Sequence, residues 1–349
     1  MSEIKLSITP TSITKYYSIG DDERFRKSLE QQGLKKKYAY SSMDKANKAK
    51  LKNNPELSFR ARKRIRNAVN WLSLLSVPRK SKYSKKANSF KFKIGFWTLT
   101  LPTKQLHDHS VIKSRCLNNF LTVMRQKHKM QNYIWVAELQ KNGNIHFHIT
   151  TDVYVHYREI RQIWNQSIEL LGYVSEYRKT FEFMSFADYK HWRFCQGAKD
   201  VQKIKKAFNH GQASRWSDPN STDVKSVRHV KELASYLSKY LSKGDADKAK
   251  TGIYADSLSS FTGRRWYLSQ SISKLGTVKI NCCMRSRDIF ERFKRLQDAF
   301  RVERDFIDMV FFKIGTIPKM LKEFLREELL SHAINSGYSF QGDFNMILR

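Results

Sequence analysis

A β-hairpin constrains the fold of this chain more than any other feature of its sequence. Tyr133–Leu139 and Ile145–Thr151 are both rich in β-branched and aromatic residues, which are typical of strands. Asn142 and Gly143 lie between them, and this dipeptide favours the tight turn of a hairpin. The sequence therefore predicts two neighbouring antiparallel strands in the middle of the chain.

The segments around the hairpin predict an α+β fold. A strand at 94–101 and a helix over 112–124 precede the hairpin, while a helix at 157–171 and a strand at 265–271 follow it. This order is typical of helices packed on one face of a central antiparallel sheet. The apolar face of the first helix is predicted to contain Ile112, Cys116, Leu117, Phe120, Leu121 and Met124.

Composition and periodicity divide the chain into three regions. Residues 1–90 are predicted to be basic and partly helical. Residues 91–283 are predicted to form the α+β domain, with an irregular, basic and aromatic insertion near 186–225. Residues 284–349 are predicted to be a helical C-terminal region. The helices expected outside the central domain are 58–76, 288–304 and 318–336.

Glu138 and two histidines form the most informative pattern in the sequence. Alternate residues of a strand share a face, so His146 and His148 lie on one side while Phe147 points into the core. A two-residue loop would place Glu138 opposite Phe147, on the wrong face. A three-residue loop that ends with Gly143 in the left-handed conformation places Glu138 opposite His146. Because glycine suits that conformation, we predict the three-residue loop.

Such a cluster suits a divalent cation. Two imidazoles, one carboxylate and open coordination positions are typical of a site for Mn²⁺ or Mg²⁺ acting as a Lewis acid. The alternative is that both histidines are ordinary strand residues. A second His-x-His pair, His107 and His109, follows Pro102 in a polar segment and is predicted to lie at the surface.

Residues 229–243 are predicted to form an amphipathic helix with a repeated Tyr-Leu-Ser-Lys sequence. Its buried stripe contains Val230, Leu233, Ala234, Leu237 and Leu241. Tyr236 and Tyr240 lie one turn apart at the edge of that stripe, beside Lys239 and Lys243. An aromatic pair at this spacing commonly serves packing. Here two phenols share a partly exposed face with two ammonium groups, which also suits chemistry.

The chemistry links this helix to the metal pattern. A phenol has an ordinary pKa near 10 and needs activation to act as a nucleophile at neutral pH. A divalent ion on a phosphodiester spreads the developing charge, and a nearby lysine can favour the phenolate or neutralise a non-bridging oxygen. The resulting phosphotyrosine ester keeps the energy of the cleaved bond, so the strand can later be rejoined.

The charge of the chain indicates a polyanionic partner. Its 65 Lys and Arg residues against 32 Asp and Glu residues give a formal net charge of +33, and this excess repels itself in the folded state. A membrane surface is disfavoured because no apolar run approaches the roughly 20 residues that span a bilayer. Secretion is also disfavoured, because residues 1–10 show no basic segment followed by an apolar one. Cysteines without CxxC spacing disfavour a zinc ribbon or a disulfide scaffold. A nucleic-acid-binding protein is therefore predicted.

Two segments are predicted to contact DNA. The first half of the helix at 58–76 is basic, and residues 190–216 interleave basic and aromatic side chains, as grooves that bind single strands do. The simpler interpretation is a solvated helix face and ordinary core aromatics. The predicted DNA-binding residues are Arg60, Arg62, Lys63, Arg64, Arg66, Trp192, Arg193, Lys203, Lys206 and Arg215.

Three ordered motifs of the chain resemble those of the HUH endonucleases. They are Phe96-Trp-Thr-Leu-Thr-Leu101, His146-Phe-His148 with Glu138 upstream, and Tyr236-x-x-Lys239-Tyr240-x-x-Lys243. The resemblance is to the two-tyrosine rolling-circle replication initiators of single-stranded DNA phages and related plasmids, and it covers about residues 92–272. Gly263-Arg-Arg-Trp266 also resembles the segment that follows the tyrosine helix in phage members.

The resemblance implies a fold and an activity. The fold is a ferredoxin-like or RNA-recognition-motif-like palm with the histidines on a central strand. The activity is site-specific nicking of origin DNA, which leaves a 5′-phosphotyrosine and a free 3′-OH, followed by rejoining. By motif match, the metal ligands are His146, His148 and Glu138, and the catalytic residues are Tyr236, Tyr240, Lys239 and Lys243. Because the family's third ligand varies, Glu138 is the least constrained of them.

The resemblance also implies partners. They are single-stranded or hairpin origin DNA and a host or separate helicase and polymerase, since the sequence has no GxxxxGK[ST] phosphate loop. The expected location is the cytoplasm, that of a bacterial host if a phage or plasmid encodes the chain, and no membrane partner is expected. Two alternatives stay open. One is a relaxase or two-tyrosine transposase with the same chemistry, although relaxases usually carry three histidines. The other is a non-catalytic DNA-binding protein with structural histidines.

Overall fold

The computed structural model of the chain describes residues 3–18, 59–76, 79–80, 91–92, 94–140, 142–227, 263–304, 307–312, 317–338 and 340. The strands in these ranges are β1 (Glu3–Thr9), β2 (Ser12–Ser18), β3 (Arg79–Lys80), β4 (Lys91–Phe92), β5 (Ile94–Leu99), β6 (Tyr133–Leu139), β7 (Ile145–Thr151), β8 (Thr222–Val227), β9 (Trp266–Leu268), β10 (Val278–Asn281), β11 (Phe300–Arg304) and β12 (Ile307–Phe311).

The helices in the same ranges are α1 (Phe59–Leu75), α2 (His109–Val111), α3 (Asn118–His128), α4 (Tyr157–Glu169), α5 (Tyr173–Phe181), α6 (Phe186–Cys195), α7 (Val201–Ala213), α8 (Gln270–Ser273), α9 (Met284–Lys294) and α10 (Lys319–Asn335). A π-helical turn, Ile112–Leu117, joins α2 to α3. No helix in the described part of the chain is long and apolar enough to cross a membrane.

The chain divides into two compact units. One unit contains Met1–Ser76 and Ser269–Arg349, and the other contains Val77–Leu268. Each unit has a five-stranded sheet within the described ranges. The predicted hairpin and the predicted metal ligands belong to the unit formed by Val77–Leu268.

The sheet of that unit has the strand order β8-β5-β7-β6-β9, and its neighbouring strands are antiparallel. Because side chains alternate along a strand, one face carries the large apolar residues and packs against α3 and α4. Trp97 meets Phe120 edge to face at a ring distance of 6.4 Å, and Phe147 meets Trp164 at 6.0 Å. The predicted α+β class with a central antiparallel sheet is confirmed.

A smaller aromatic core holds the helices α5, α6 and α7 together. Phe181, Tyr189, Ile204 and Trp216 are buried in it, and the rings of Phe181 and Trp216 stack 5.2 Å apart. The expectation that residues 186–225 are irregular is therefore wrong. Most aromatic residues of this segment pack in or against this core, while most of its basic residues are exposed. The interleaved sequence therefore reflects helices with one buried and one exposed face. The end of this segment forms β8, an edge strand of the sheet.

The sheet of the other unit draws strands from both ends of the chain. Its order is β10-β1-β2-β12-β11, and Leu6, Ile8 and Ile13 are fully buried in it. Helix α1 belongs to the same unit, where the indole of Trp71 donates a hydrogen bond to the carbonyl of Gly276 at 3.1 Å. Sequence periodicity predicts separate regions at 1–90 and 284–349, whereas the structure pairs β1 with β10 and β2 with β12.

The C-terminal helices are only partly as predicted. Helix α10 matches the expected helix at 318–336. The single helix expected at 288–304 is wrong, because α9 ends at Lys294 and Phe300–Arg304 forms β11. Pairing with β12 explains the difference, since this partner strand lies later in the chain and is not visible in local periodicity.

Candidate metal centre

The hairpin between β6 and β7 sets the register of the predicted metal ligands. Gln140 and Asn144 close the turn, with a hydrogen bond of 2.8 Å from the amide of Gln140 to the carbonyl of Asn144. Three residues lie between them, and Gly143 has a φ of +83°. Glu138 therefore pairs with His146 across the hairpin. The predicted three-residue loop with a left-handed glycine is confirmed.

The three side chains meet on the sheet face opposite the α3–α4 core. Oε2 of Glu138 lies 3.3 Å from Nε2 of His146 and 3.6 Å from Nε2 of His148. The three groups offer one ligand atom each, all within 4.8 Å of one another. They form the only group of three or more His, Cys, Asp or Glu side chains with this geometry in the described ranges. The structure thus brings the predicted ligands together.

The imidazole of His148 is held from two sides. Its Nδ1 lies 3.1 Å from Oγ1 of Thr98 on the neighbouring strand β5, within hydrogen-bond distance. Its ring stacks on Phe96 with centroids 5.3 Å apart and planes 21° apart. When Nδ1–H donates to Thr98, Nε2 keeps its lone pair and can act as a ligand, which is the usual arrangement of metal-binding histidines.

The cluster is buried and electrostatically coupled. Only 2% of the His148 side chain and 10% of the Glu138 side chain are exposed, against 14% for His146. Burial alone would raise the pKa of Glu138, but hydrogen bonds and charge from both histidines outweigh it and hold the pKa below its ordinary value. The carboxylate is therefore ionised at neutral pH and available as a ligand.

These residues fit a divalent metal ion. Ligand atoms each about 2.1 Å from one ion lie roughly 3.0–3.5 Å apart, close to the separations of Glu138 from the two histidines. In addition, Nδ1 of His146 is buried and has no hydrogen-bond partner among the described residues. A nitrogen and oxygen donor set of this kind accepts several divalent ions, so it selects neither Mg²⁺ nor Mn²⁺.

Tyr236, Lys239, Tyr240 and Lys243 all lie outside the described residues. Their roles stay predictions from the sequence.

The predicted DNA-binding residues lie in both units. On α1, Lys63, Arg64 and Arg66 are exposed and Arg62 is half-buried, while the side chain of Arg60 lies outside the described part. In the other unit, Lys203, Lys206 and Arg215 are exposed. These positions leave the cations accessible to a phosphate backbone.

Trp192 belongs to the small aromatic core. Its ring contacts Phe181 edge to face with centroids 4.9 Å apart, and the residue is half-buried. Arg193 lies over the same indole, with its guanidinium carbon 6.0 Å from the ring centroid. This contact holds the indole between the core and a cation.

The burial of the second His-x-His pair, His107 and His109, differs from the prediction. His109 is buried at the start of α2, and Nδ1 of His107 lies 3.2 Å from the hydroxyl of Tyr173. The expectation that both lie at the surface is therefore wrong for His109. The segment folds back against the core because Leu106 and His107 both donate backbone hydrogen bonds to the same hydroxyl.

Thr98 and Phe96 are site residues that sequence reasoning missed. Both lie in the strand that resembles the first HUH motif, but neither carries a metal-ligating group. Their contacts with His148 follow from the pairing of β5 with β7, where Thr98 stands opposite His148. A strand-pairing prediction would have found Thr98.

The comparisons with known proteins agree with this geometry. Residues 94–245 match the model of a family described as Replication-associated protein ORF2. The match includes the metal cluster and extends over the predicted tyrosine helix. No curated protein and no solved structure shows a significant similarity to the chain. Residues 94–245 are thus similar to this replication-associated protein family, a family of rolling-circle replication initiators of the HUH type.

Proposed function

We propose that the chain initiates rolling-circle replication by nicking single-stranded origin DNA with a tyrosine. The observation that carries this proposal is the buried cluster of Glu138, His146 and His148 inside the domain matched by the replication-initiator family. A divalent ion bound there would act as a Lewis acid toward the scissile phosphate. The proposal is that Mg²⁺ or Mn²⁺ serves this role.

The protein residues would supply the nucleophile and the charge balance. The phenolic oxygen of Tyr236 or Tyr240 attacks phosphorus, a new O–P bond forms and the bond from phosphorus to the 3′ oxygen breaks. The phenolic proton is lost and the departing 3′ oxygen gains one, which gives a 5′-phosphotyrosine and a free 3′-OH. Lys239 and Lys243 favour the phenolate or neutralise a non-bridging oxygen. The second tyrosine can later take over the strand during rejoining.

The partner proposed for this reaction is single-stranded or hairpin origin DNA. The net charge of +33 supports a polyanionic substrate. Exposed cations on α1 and α7, Lys63 and Lys206 among them, would contact its phosphates. A separate helicase and polymerase would complete replication.

The test is a covalent-adduct assay with the full chain. Single-stranded DNA that tiles the encoding replicon is labelled at its 3′ end, because the downstream fragment is the one that stays attached to tyrosine. After incubation with Mn²⁺ and boiling in detergent, we expect a labelled band at the size of the protein plus DNA. Chelation with EDTA should abolish it.

Variants connect the adduct to the cluster. His148→Ala should lower the adduct yield about a hundredfold or more, because a lost ligand removes several kcal/mol of transition-state stabilisation. The matched control is His191→Ala, since His191 is exposed on α6 and lies outside the cluster. If His148→Ala gave the same adduct yield as the wild type, the proposed role of the metal site would be contradicted. No adduct from any DNA segment would favour a non-catalytic DNA-binding protein.

A further inference from the structure

A pocket lies on one face of the sheet that carries the metal cluster. Glu138, His146 and His148 lie on the other face of this sheet. We call this pocket the β9 pocket; it has a volume of about 440 Å³, within the range of small-molecule sites. It lies between the helical segment that begins at α2 and the sheet edge formed by β6 and β9. The residues used below are Lys113, Arg125, Tyr133, Trp135, Arg264 and Tyr267.

All the charged residues that line the described part of the β9 pocket are cations. Lys113, Arg125 and Arg264 line it, and none of the described lining residues is Asp or Glu. No ion pair joins Arg125 or Arg264 to a carboxylate in the described part of the chain. Burial, and to a lesser degree the charge of Arg265, lowers the pKa of Lys113 to about 8. An anion in this pocket would relieve the repulsion among the cations.

The backbone holds the ammonium group of Lys113 in place. Lys113 lies in the π-helical turn and donates a hydrogen bond from Nζ to the carbonyl of Arg264 at 3.1 Å. Gly263 has a φ of +77°, and a Cβ at this position would lie 3.1 Å from Nζ of Lys113. The backbone conformation at this position therefore favours glycine, and a larger residue would make a tight contact with the ammonium group. π-Helical turns are frequent at functional sites.

Three aromatic residues also line the β9 pocket and form an aromatic wall. Trp135 and Tyr267 stack with centroids 6.3 Å apart, and Tyr133 lies 6.1 Å from Tyr267. The guanidinium of Arg264 lies over Tyr267 at 5.6 Å. A cationic side next to an aromatic side matches a ligand that has a phosphate at one end and a planar ring at the other.

We propose that the β9 pocket binds a nucleotide. Lys113, Arg125 and Arg264 bind its phosphate, and its base packs against the aromatic wall. The nucleotide is either one unit of a bound DNA strand or a free deoxynucleotide. This inference goes beyond the nicking reaction, because it requires neither the metal cluster nor the tyrosines.

The test measures binding without cleavage. The full chain is titrated calorimetrically in EDTA with deoxyadenosine 5′-monophosphate, with deoxyadenosine and with inorganic phosphate. We expect the monophosphate to bind about tenfold or more tightly than the nucleoside or phosphate alone. Arg264→Ala and Lys113→Ala should each weaken its binding about tenfold, since each removes a charged hydrogen-bond donor. The control is Arg115→Ala, an exposed position in the same π-helical turn that does not line the pocket.

A second arm identifies the source of the nucleotide. If the ligand is part of a DNA strand, Arg264→Ala also weakens binding of a single-stranded oligonucleotide and reduces the salt slope by about 0.7, the value of one lost phosphate contact. If the ligand is a free nucleotide, oligonucleotide binding stays unchanged while monophosphate binding falls. The proposal would be overturned if Arg264→Ala and Lys113→Ala both bound the monophosphate as tightly as the wild type does and also bound the oligonucleotide as tightly as the wild type does. These binding titrations measure no covalent step. Failure of the nicking proposal would therefore be seen in a different experiment, the adduct assay, as a missing adduct.

Discussion

One carboxylate oxygen of Glu138 faces two imidazole nitrogens, at 3.3 Å and 3.6 Å. At the scale of single residues, these buried atoms need a cation or a shared proton between them. Burying polar groups without such a partner costs roughly several kcal/mol of folding free energy. Thr98 bears on this choice for His148. When Nδ1–H donates to Thr98 and Nε2 carries no proton, the histidine presents the lone pair of Nε2 to a metal ion.

Thr98 therefore gives a prediction that separates a metal site from a structural histidine pair. Thr98→Val keeps the shape of the side chain and removes the acceptor for Nδ1–H of His148, so Mn²⁺ affinity should fall about 10-fold to 100-fold. Equilibrium dialysis of the full chain with Mn²⁺ measures this.

Thr98→Ser serves as the control because it restores the hydroxyl, and its Mn²⁺ affinity should return towards the wild-type value. If Thr98→Val binds Mn²⁺ as tightly as Thr98→Ser does, the hydrogen bond does not position a ligand.

At the scale of elements, the β6–β7 hairpin determines which face Glu138 occupies. Its three-residue loop gives the pairing of Glu138 with His146. A loop one residue shorter would shift the register by one and place Glu138 opposite Phe147, since side chains alternate across the sheet. The loop length therefore links local turn geometry to the chemistry of the site.

Deletion of Gln140 tests this link, because the three-residue loop would then follow Leu139 and Glu138 would pair with Ile145. We expect the deletion variant to lose Mn²⁺ binding at least tenfold, because the carboxylate moves to the other face of the sheet. The control Gly143→Ala keeps the loop length and costs about 1–2 kcal/mol of stability, because φ is +83°. Its Mn²⁺ affinity should stay close to that of the wild type. Strong Mn²⁺ binding by the deletion variant would show that the register does not control the site.

Local patterns were sufficient to predict this hairpin and the helix before it. Strand alternation gave the bounds of β6 and β7, and Gly143 indicated the loop type, so the pairing of Glu138 with His146 followed from residues within one hairpin. The helix facing the sheet followed from residues such as Phe120 and Met124, which are buried. Short-range periodicity determines all of these features.

Features that depend on distant segments could not be predicted in this way. Thr98 reaches His148 only because β5 pairs with β7, about fifty residues later. Strands β11 and β12 look helical or irregular until β12 is known to pair with both β2 and β11. Helices α6 and α7 were missed because their aromatic residues pack on Trp216 from a later turn.

At the scale of the whole molecule, strands from both ends of the chain share one sheet. β1 lies between β10 and β2, so the N-terminal hairpin is interior to the sheet and not an added arm. Ile13 is fully buried and pairs with Ile8 and Val310. The N-terminal and C-terminal segments of the unit therefore depend on each other for stability.

Ile13→Ala tests this dependence by hydrogen exchange. We expect a loss of about 2–5 kcal/mol in the stability of this sheet, against about 0.5–1.5 kcal/mol for the control Ile13→Val. Amide exchange should accelerate in β1 and β2 and also in β10, β11 and β12. Acceleration confined to residues 3–18 would instead support separate terminal regions.

The central claim is that a tyrosine in the repeated Tyr-Leu-Ser-Lys sequence is linked to DNA. The most direct measurement is mass spectrometry of the adduct after nuclease and trypsin digestion. Trypsin separates the two candidates, because residues 232–239 contain Tyr236 and residues 240–243 contain Tyr240. We predict a nucleotide phosphate on one of these two peptides in the presence of Mn²⁺. A nucleotide found on any other peptide, or no modified peptide at all, would contradict the account.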